Sequence, residues 1–236
     1  MKFSLNTAEV FIPDGAPEEQ ALGRTTHLCI AAHQDDIEIM AAQPIVECFQ
    51  QANAWFTGVV VTDGRGSPRD SLYKEYTDDE MRAVRFHEQR KAAYVGEFSA
   101  QVMLDIPSAI IKDAYRPDPV DDLVKLLRAT KPQSVYTHNF ADKHDTHVAV
   151  ASRVVEAIRR LEQAERPERL VGCEVWRSLD WMVDTDKVLM NTSDHENLQF
   201  ALLGVFYSRI IGGTRHDVAS MGRRRANATY FESHGV

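Results

Sequence analysis

The chain has 236 residues, of which 44% are apolar and 26% charged, a composition that supports one folded domain with a sizeable core. Its 27 basic and 35 acidic side chains give a net charge of −8, which disfavours binding to a nucleic-acid backbone. The start of the chain turns polar before a signal peptide could form, and no apolar stretch approaches the ~18 residues of a membrane span. The three cysteines are far apart, which argues against a disulfide framework. We therefore expect a soluble, cytoplasmic protein with no membrane partner, and homo-oligomerisation stays open.

Strands and helices alternate along the first half of the chain. Short apolar runs are typical of strands buried on both faces of a sheet, and apolar residues that recur every three to four positions indicate helices. Thr77 and Glu80 have the spacing of a capping box, which predicts the start of a helix. In chain order we predict strand 26–32, helix 37–51, strand 55–62, helix 79–95 and strand 102–106.

The same alternation continues to the C-terminal region. There we predict helix 118–129, strand 133–137, helix 146–165, strand 173–177, a short strand 187–190 and a helix over 198–211 with a capping pattern at 193–196. Alternating strands and helices predict a Rossmann-like, doubly wound α/β fold, with a mostly parallel sheet and helices on both faces. Residues 1–236 are expected to form a single domain with an N-terminal arm (1–25) and an irregular C-terminal tail (212–236).

Polar segments follow three of the predicted strands, at the point where each strand ends. These segments are residues 33–36, 63–67 and 138–147. In a parallel sheet, ligands bind beyond the carboxyl ends of the strands, where such loops converge. The sequence therefore predicts a functional site at that edge of the sheet.

Three side chains in these segments have the chemistry of a metal site. His33 and Asp36 are three residues apart where a strand gives way to a helix, and His147 lies at the start of a later helix. Two imidazoles and one carboxylate suit zinc and leave a coordination position open. Asp35 lies beside these ligands and can take a proton from water, so we predict it as the general base. His144 is close enough in sequence to protonate a leaving group or stabilise an oxyanion.

The motifs identify a family. Residues 32–39 read AHQDDIEI and resemble the AHPDDxEI signature of the PIG-L/LmbE-like family of zinc-dependent de-N-acetylases, and residues 144–147 read HDTH and resemble its HPDH segment. The resemblance extends to residues 62–64 and 85–88 and covers most of the chain from about 27 to 158. Because the paired motifs occur in the family's order, the resemblance is specific.

The resemblance implies a reaction and a set of roles. The chain is expected to be a metal-dependent amidohydrolase that removes the acetyl group from a soluble N-acetylated amino sugar, such as an N-acetylglucosamine derivative, or a conjugate of one. The matching positions imply one zinc ion per chain held by His33, Asp36 and His147, with Asp35 as base and His144 as the assisting histidine. The exact substrate, the native divalent metal and the group that protonates the leaving amine, His144 or Asp35, are left open.

Some residues depart from the family's pattern. Gln34 replaces the proline of the signature and adds an amide that could meet substrate. Asp142 stands where some members have a tyrosine that helps to bind the oxyanion, so we expect it at the substrate as well. Thr146 replaces an aspartate, so a carboxylate that orients His144 must come from Asp142 or Asp145.

Other residues near the predicted site have a less specific signal. Arg65 and Arg69, in the Gly-rich loop after the second strand, are predicted to contact a polar or anionic substrate. His138 and His216 lie near plausible loops but are not assigned to the site.

Two alternative functions remain at this stage. Two histidines and one carboxylate also form the facial triad of non-haem iron oxygenases, but the usual spacing there is His-x-Asp, and an oxygenase has no evident need for a base such as Asp35. A binding protein of the same fold with an inactive site would be supported by the loss of a ligand, and all three ligands are present. Hydrolysis is therefore preferred.

Overall fold

Six strands form one sheet in the computed structural model, which describes residues 1–231 of the chain, and the central strands are rich in apolar and β-branched residues. The sequence FTGVVVT of the third strand is typical, since every one of its residues is buried. The strands are β1 (Glu9–Phe11), β2 (His27–Ala31), β3 (Phe56–Thr62), β4 (Ala100–Ile106), β5 (Ser134–His138) and β6 (Arg169–Cys173).

The strand order of the sheet is β1-β4-β3-β2-β5-β6. Strands β2 to β6 pair in parallel, and β1 adds an antiparallel edge to β4. The chain builds outward from β2 through β3 to β4 and then crosses to the other side of β2 to form β5 and β6. The order therefore reverses between β2 and β5, and in folds of this kind ligands bind at the carboxyl ends of the strands where the order reverses. The predicted Rossmann-like α/β fold is confirmed.

Helices cover both faces of the sheet. The helices are α1 (Glu18–Gly23), α2 (Asp36–Met40), α3 (Ala42–Cys48), α4 (Asp78–Val95), α5 (Ser108–Lys112), α6 (Asp118–Thr130), α7 (Asp145–Arg159), α8 (Glu196–Gly204), α9 (Tyr207–Arg209) and α10 (His216–Tyr230). Helices α1, α5, α6 and α7 contribute to one apolar core, and α2, α3, α4 and α8 to the other. Successive strand residues alternate between the two cores: Val59 and Val61 face the first, and Val60 faces the second.

The predicted start of α4 is confirmed in detail. The Thr77 hydroxyl accepts a hydrogen bond from the Glu80 backbone N–H at 3.3 Å, and the Glu80 carboxylate accepts one from the Thr77 N–H at 2.8 Å. This reciprocal capping box satisfies two of the donors that a helix N-terminus leaves free.

Several predicted elements differ from the structure. The helix predicted over 146–165 ends at Arg159, and the helix predicted over 198–211 is divided into α8 and α9. The helix predicted over 37–51 is two short helices, α2 and α3, because Pro44 has no N–H for the carbonyl four residues earlier and is tolerated only in the first turn of a new helix. The last strand, β6, begins at Arg169 rather than at 173, and residues 187–190 form no strand. Strand β6 is an edge strand whose Arg169, Leu170 and Gly172 are exposed, so it lacks the apolar run on which the prediction relied.

The two ends of the chain are more ordered than expected. The N-terminal arm contributes β1 and α1, and helix α10 occupies most of the tail that was expected to be irregular. The Arg224 guanidinium of α10 donates to the backbone carbonyl of Glu38 at 2.7 Å, which ties the tail to α2. Residues 232–236 of the predicted tail lie outside the described residues. Within residues 1–231, no helix combines the length and the apolar character needed to span a membrane.

Candidate metal centre and active site

The three predicted metal ligands meet at the carboxyl ends of β2 and β5. His33 follows β2, Asp36 begins α2, and His147 lies in the first turn of α7, directly after the loop that leaves β5. The His33 backbone N–H donates to Asp36 Oδ2 at 2.8 Å, which turns the carboxylate back toward the end of β2. The topology therefore converges three side chains that are far apart in sequence.

The donor atoms of these residues have the spacing of a metal site. His33 Nδ1 lies 3.2 Å from Asp36 Oδ2 and 3.1 Å from His147 Nε2, and the last two atoms are 3.3 Å apart. Ligands at 2.0–2.1 Å from a tetrahedral zinc ion are separated by about 3.3 Å from one another. The three donors thus form one face of a tetrahedron that fits zinc and leave the fourth position free.

A buried carboxylate supports His147 from behind. Asp142 Oδ2 lies 3.2 Å from His147 Nδ1, and the Asp142 carboxylate also accepts the backbone N–H groups of His144 at 2.9 Å and Trp176 at 3.0 Å. Burial would raise the pKa of Asp142, but these donors hold it below its ordinary value. An acceptor on Nδ1 leaves Nε2 of His147 directed at the metal position, which is the usual arrangement of carboxylate, histidine and metal.

His138, which the sequence did not assign to the site, packs under His147. The two rings are stacked with centroids 3.9 Å apart, and His138 Nε2 accepts the Ala32 backbone N–H at 2.8 Å. Burial lowers the pKa of His138 to about 3, so the ring is neutral. Its Nε2 lies 3.5 Å from Asp36 Oδ2, but the lone pair of this nitrogen is already engaged. His138 therefore supports the ring of His147 rather than adding a ligand.

His144 caps the N-terminus of α7 and faces the other side of His147. Its Nδ1 accepts the Thr146 backbone N–H at 3.3 Å, so the ring proton of neutral His144 sits on Nε2. Its ring stacks on His147 with centroids 4.5 Å apart, and its side chain is 38% exposed. Burial and the neighbouring histidines lower the pKa of His144. Among the described residues, no carboxylate is hydrogen-bonded to the His144 ring. Asp145 Oδ1 lies 3.6 Å from His144 Nδ1, and Asp142 contacts the backbone N–H of His144 rather than its ring. The Thr146 N–H therefore orients the ring.

Asp35 is buried in a network of basic side chains. Arg85 Nη2 donates to Asp35 Oδ1 at 3.0 Å, His216 Nδ1 lies 2.8 Å from Asp35 Oδ2, and Arg209 Nε lies 3.3 Å from the same oxygen. Burial raises the pKa of Asp35, but Arg85, His216 and Arg209 together hold it below its ordinary value. Asp35 is therefore ionised at neutral pH.

A third acid of the motif is neutral. Glu38 is a buried residue of α2, and its carboxyl group accepts one hydrogen bond from Gln89 Nε2 at 2.9 Å. Burial raises the pKa of Glu38 to about 8, so its carboxyl group is mostly protonated near pH 7. Glu38 thus adds little negative charge beside Asp36.

The side chains of Gln34 and Asp142 are buried and contact partners inside the protein. The Gln34 side chain is buried, and its Nε2 donates to the Thr62 carbonyl at 3.2 Å. Asp142 is buried behind His147, as described above. Substrate contact by either residue stays a prediction, which these internal contacts do not support.

Arg65 and Arg69 are already paired with acids of the protein. Arg65 lies 2.8 Å from Asp79 and 3.2 Å from Asp63, and Arg69 is ion-paired with Asp78. An anionic substrate would have to displace these carboxylates, so the structure gives no support to a substrate contact by either arginine.

Four residues near the site were not predicted from the sequence, and they differ in whether the sequence carried a signal for them. His138 ends β5 at the same sheet edge as the other site residues, and that position was a usable signal. Arg85 lies in a segment that resembles the family. Arg209 and His216 have no local signal, because only the folding of the C-terminal segment over α2 brings them to Asp35.

Similarity to known proteins identifies a family for this chain. A family model described as PIG-L, GlcNAc-PI de-N-acetylase, matches residues 28–158. A comparison with curated proteins finds no match.

Solved structures share the fold at low sequence identity. N,N'-diacetylchitobiose deacetylase from Pyrococcus horikoshii superposes with a TM-score of 0.67 at 18% identity, over 90% of this chain and 80% of that one. A conserved protein from Thermus thermophilus gives a TM-score of 0.66 at 19% identity, over 87% of this chain and 89% of that one. The 4-carboxy-2-hydroxymuconate hydratase GalB from Pseudomonas putida gives a TM-score of 0.63 at 19% identity, over 90% of this chain and 91% of that one.

The matched range of the family model includes the strand-end loops that carry His33, Asp36 and His147. The model spans more than half of the chain. The chain belongs to the PIG-L, or GlcNAc-PI de-N-acetylase, family.

Proposed function

We propose that the protein is a zinc-dependent hydrolase that removes the acetyl group from a soluble N-acetylated amino sugar or a conjugate of one. The observation that carries this proposal is the triangle of donor atoms from His33, Asp36 and His147, 3.1–3.3 Å on each side, at the topological switch point of a de-N-acetylase family member. A zinc ion held there would polarise the acetamide carbonyl and make water more acidic.

Asp35 has the properties of the proton carrier. Its carboxylate is ionised and can accept the proton of the attacking water. A lowered pKa weakens Asp35 as a base, but it favours the return of the proton to the leaving amine in the second half of the reaction. One group can therefore serve both steps.

His144 is suited to a hydrogen-bonding role. Because its Nδ1 is occupied by the Thr146 N–H, neutral His144 presents an Nε2–H donor, and this donor can stabilise the oxyanion of a tetrahedral intermediate. Donation of a hydrogen bond requires no additional proton on the ring, which agrees with the lowered pKa of His144.

The fold alone does not select this reaction. Among the structural neighbours, one is named a chitobiose deacetylase and another a hydratase, so the same architecture carries two kinds of chemistry. The family match and an ionised carboxylate next to the metal position support amide hydrolysis. The acidic net charge of −8 supports a small soluble substrate over an anionic membrane surface.

The substrate class is tested by a side-by-side assay. We expect the zinc-loaded protein to release acetate from N-acetylglucosamine, N,N'-diacetylchitobiose or a small conjugate, and to act at least ~10-fold more slowly on acetyl-lysine peptides, since a compact sugar acetamide can reach a metal at the strand ends. Acetate release would be measured with a coupled enzyme assay. Robust peptide hydrolysis with silent sugars would overturn the substrate class, and hydration of an unsaturated acid without any acetate release would overturn the reaction.

A further inference from the structure

The C-terminal segment closes over the predicted catalytic motif although it lies outside the residues that match the family model. The Ser208 backbone N–H and hydroxyl both donate to the Glu88 carboxylate of α4, at 2.7 and 2.8 Å. Farther along, Arg224 binds the Glu38 carbonyl. The segment is thus anchored on both sides of His216, which faces Asp35.

The hydrogen bonds of His216 define its tautomer. Its Nε2 lies 3.3 Å from Arg209 Nη2, and a guanidinium can only donate, so Nε2 must accept. The ring proton is then on Nδ1, which lies 2.8 Å from Asp35 Oδ2 and donates to it. Trp176 packs edge-on against the same ring, with centroids 5.1 Å apart.

Asp35 needs such support because its backbone is strained. Its φ is 90°, in the left-handed region that a residue other than glycine rarely adopts. Arg85 holds one carboxylate oxygen from α4, and His216 holds the other from α10. Side chains from two helices therefore hold the two oxygens of the carboxylate separately.

We propose that His216 is a positioning residue, which donates from Nδ1 to Asp35 and is itself held in that tautomer by Arg209. Charge compensation does not explain its presence, because the guanidinium groups of Arg85 and Arg209 already lie 3.0 and 3.3 Å from the Asp35 carboxylate. Its contribution is the direction of one hydrogen bond. The kinetic part of this proposal rests on the proposed function, and the structural part does not.

Two conservative variants distinguish the direction of the hydrogen bond to Asp35 from the packing of the side chain at position 216. The amide nitrogen of asparagine occupies the place of Nδ1, whereas that of glutamine occupies the place of Nε2. We expect His216→Gln to lower kcat about 10- to 100-fold, with KM changed less than about two-fold and zinc content unchanged. We expect the kcat of His216→Asn to be much closer to the wild-type value. Equal kcat values for the two variants would overturn the proposal while leaving the proposed function intact.

A second readout does not depend on activity. Long-range ¹H–¹⁵N correlation spectra report the tautomer of each of the nine histidines, and His216→Asn assigns the His216 signals by their loss. We expect a neutral ring protonated on Nδ1 in the full-length protein, and loss of that tautomer preference in Arg209→Leu. A ring protonated on Nε2 alone, or on both nitrogens, would overturn the proposal even if no sugar released acetate.

Discussion

Replacing His147 by alanine is expected to abolish zinc binding at the site and acetate release with it. The substitution removes one of only three donor atoms, and it also leaves the carboxylates of Asp36 and Asp142 facing each other without the imidazole between them. We expect zinc affinity to fall by more than the ~10- to 100-fold that the loss of a supporting residue costs. The measurement is the zinc content of the dialysed variant by elemental analysis.

Two further variants make the result interpretable. His147 is fully buried, so its variant could also lose stability, whereas His33 is 26% exposed and can be replaced by alanine with less effect on packing. The matched control is His87→Ala, which makes the same change at an exposed position of α4. Unchanged zinc content in folded His33→Ala and His147→Ala would refute the assignment of the ligands.

Replacing Asp35 by asparagine is expected to lower kcat by at least ~10²-fold while the zinc content stays at the wild-type level. Asparagine cannot take up the proton of water. Its side chain also keeps only one of the two oxygens, and because these accept separately from Arg85 and from His216, one of the two hydrogen bonds is lost. The measurement combines steady-state kinetics on the best sugar substrate with elemental analysis.

The control for this substitution is Asp121→Asn, which makes the same change at an exposed carboxylate of α6. We expect its kcat to stay within about two-fold of the wild-type value, as for most surface substitutions. Near-normal turnover of fully metallated Asp35→Asn would remove Asp35 from the mechanism, and the metal assignment would stand.

Local patterns were sufficient to predict which residues of the candidate site meet at the ends of strands. The polar residues after β2 and β5 follow apolar runs, and parallel pairing of β2 with β5 places both loops at one edge. His33, Asp36 and His147 therefore converge as the alternation of strands and helices implied. The convergence depends on topology, and the topology follows from short connections and right-handed crossovers.

Contacts that depend on the tertiary fold could not be predicted in the same way. Gln34 stands in the motif loop, yet its amide is directed inward to Thr62, because the backbone of the loop decides where the side chain points. His216 meets Asp35 only because the C-terminal segment folds back over α2. The edge strand β6 begins four residues earlier than predicted, because its exposed Arg169 and Gly172 interrupt the apolar pattern.

The central claim is tested most directly by removing the metal from the wild-type protein and returning zinc during the acetate assay. The account predicts that chelation abolishes acetate release from the N-acetylated sugar and that activity recovers in proportion to added zinc, up to one ion per chain. Acetate release that persists after complete removal of the metal would contradict the account.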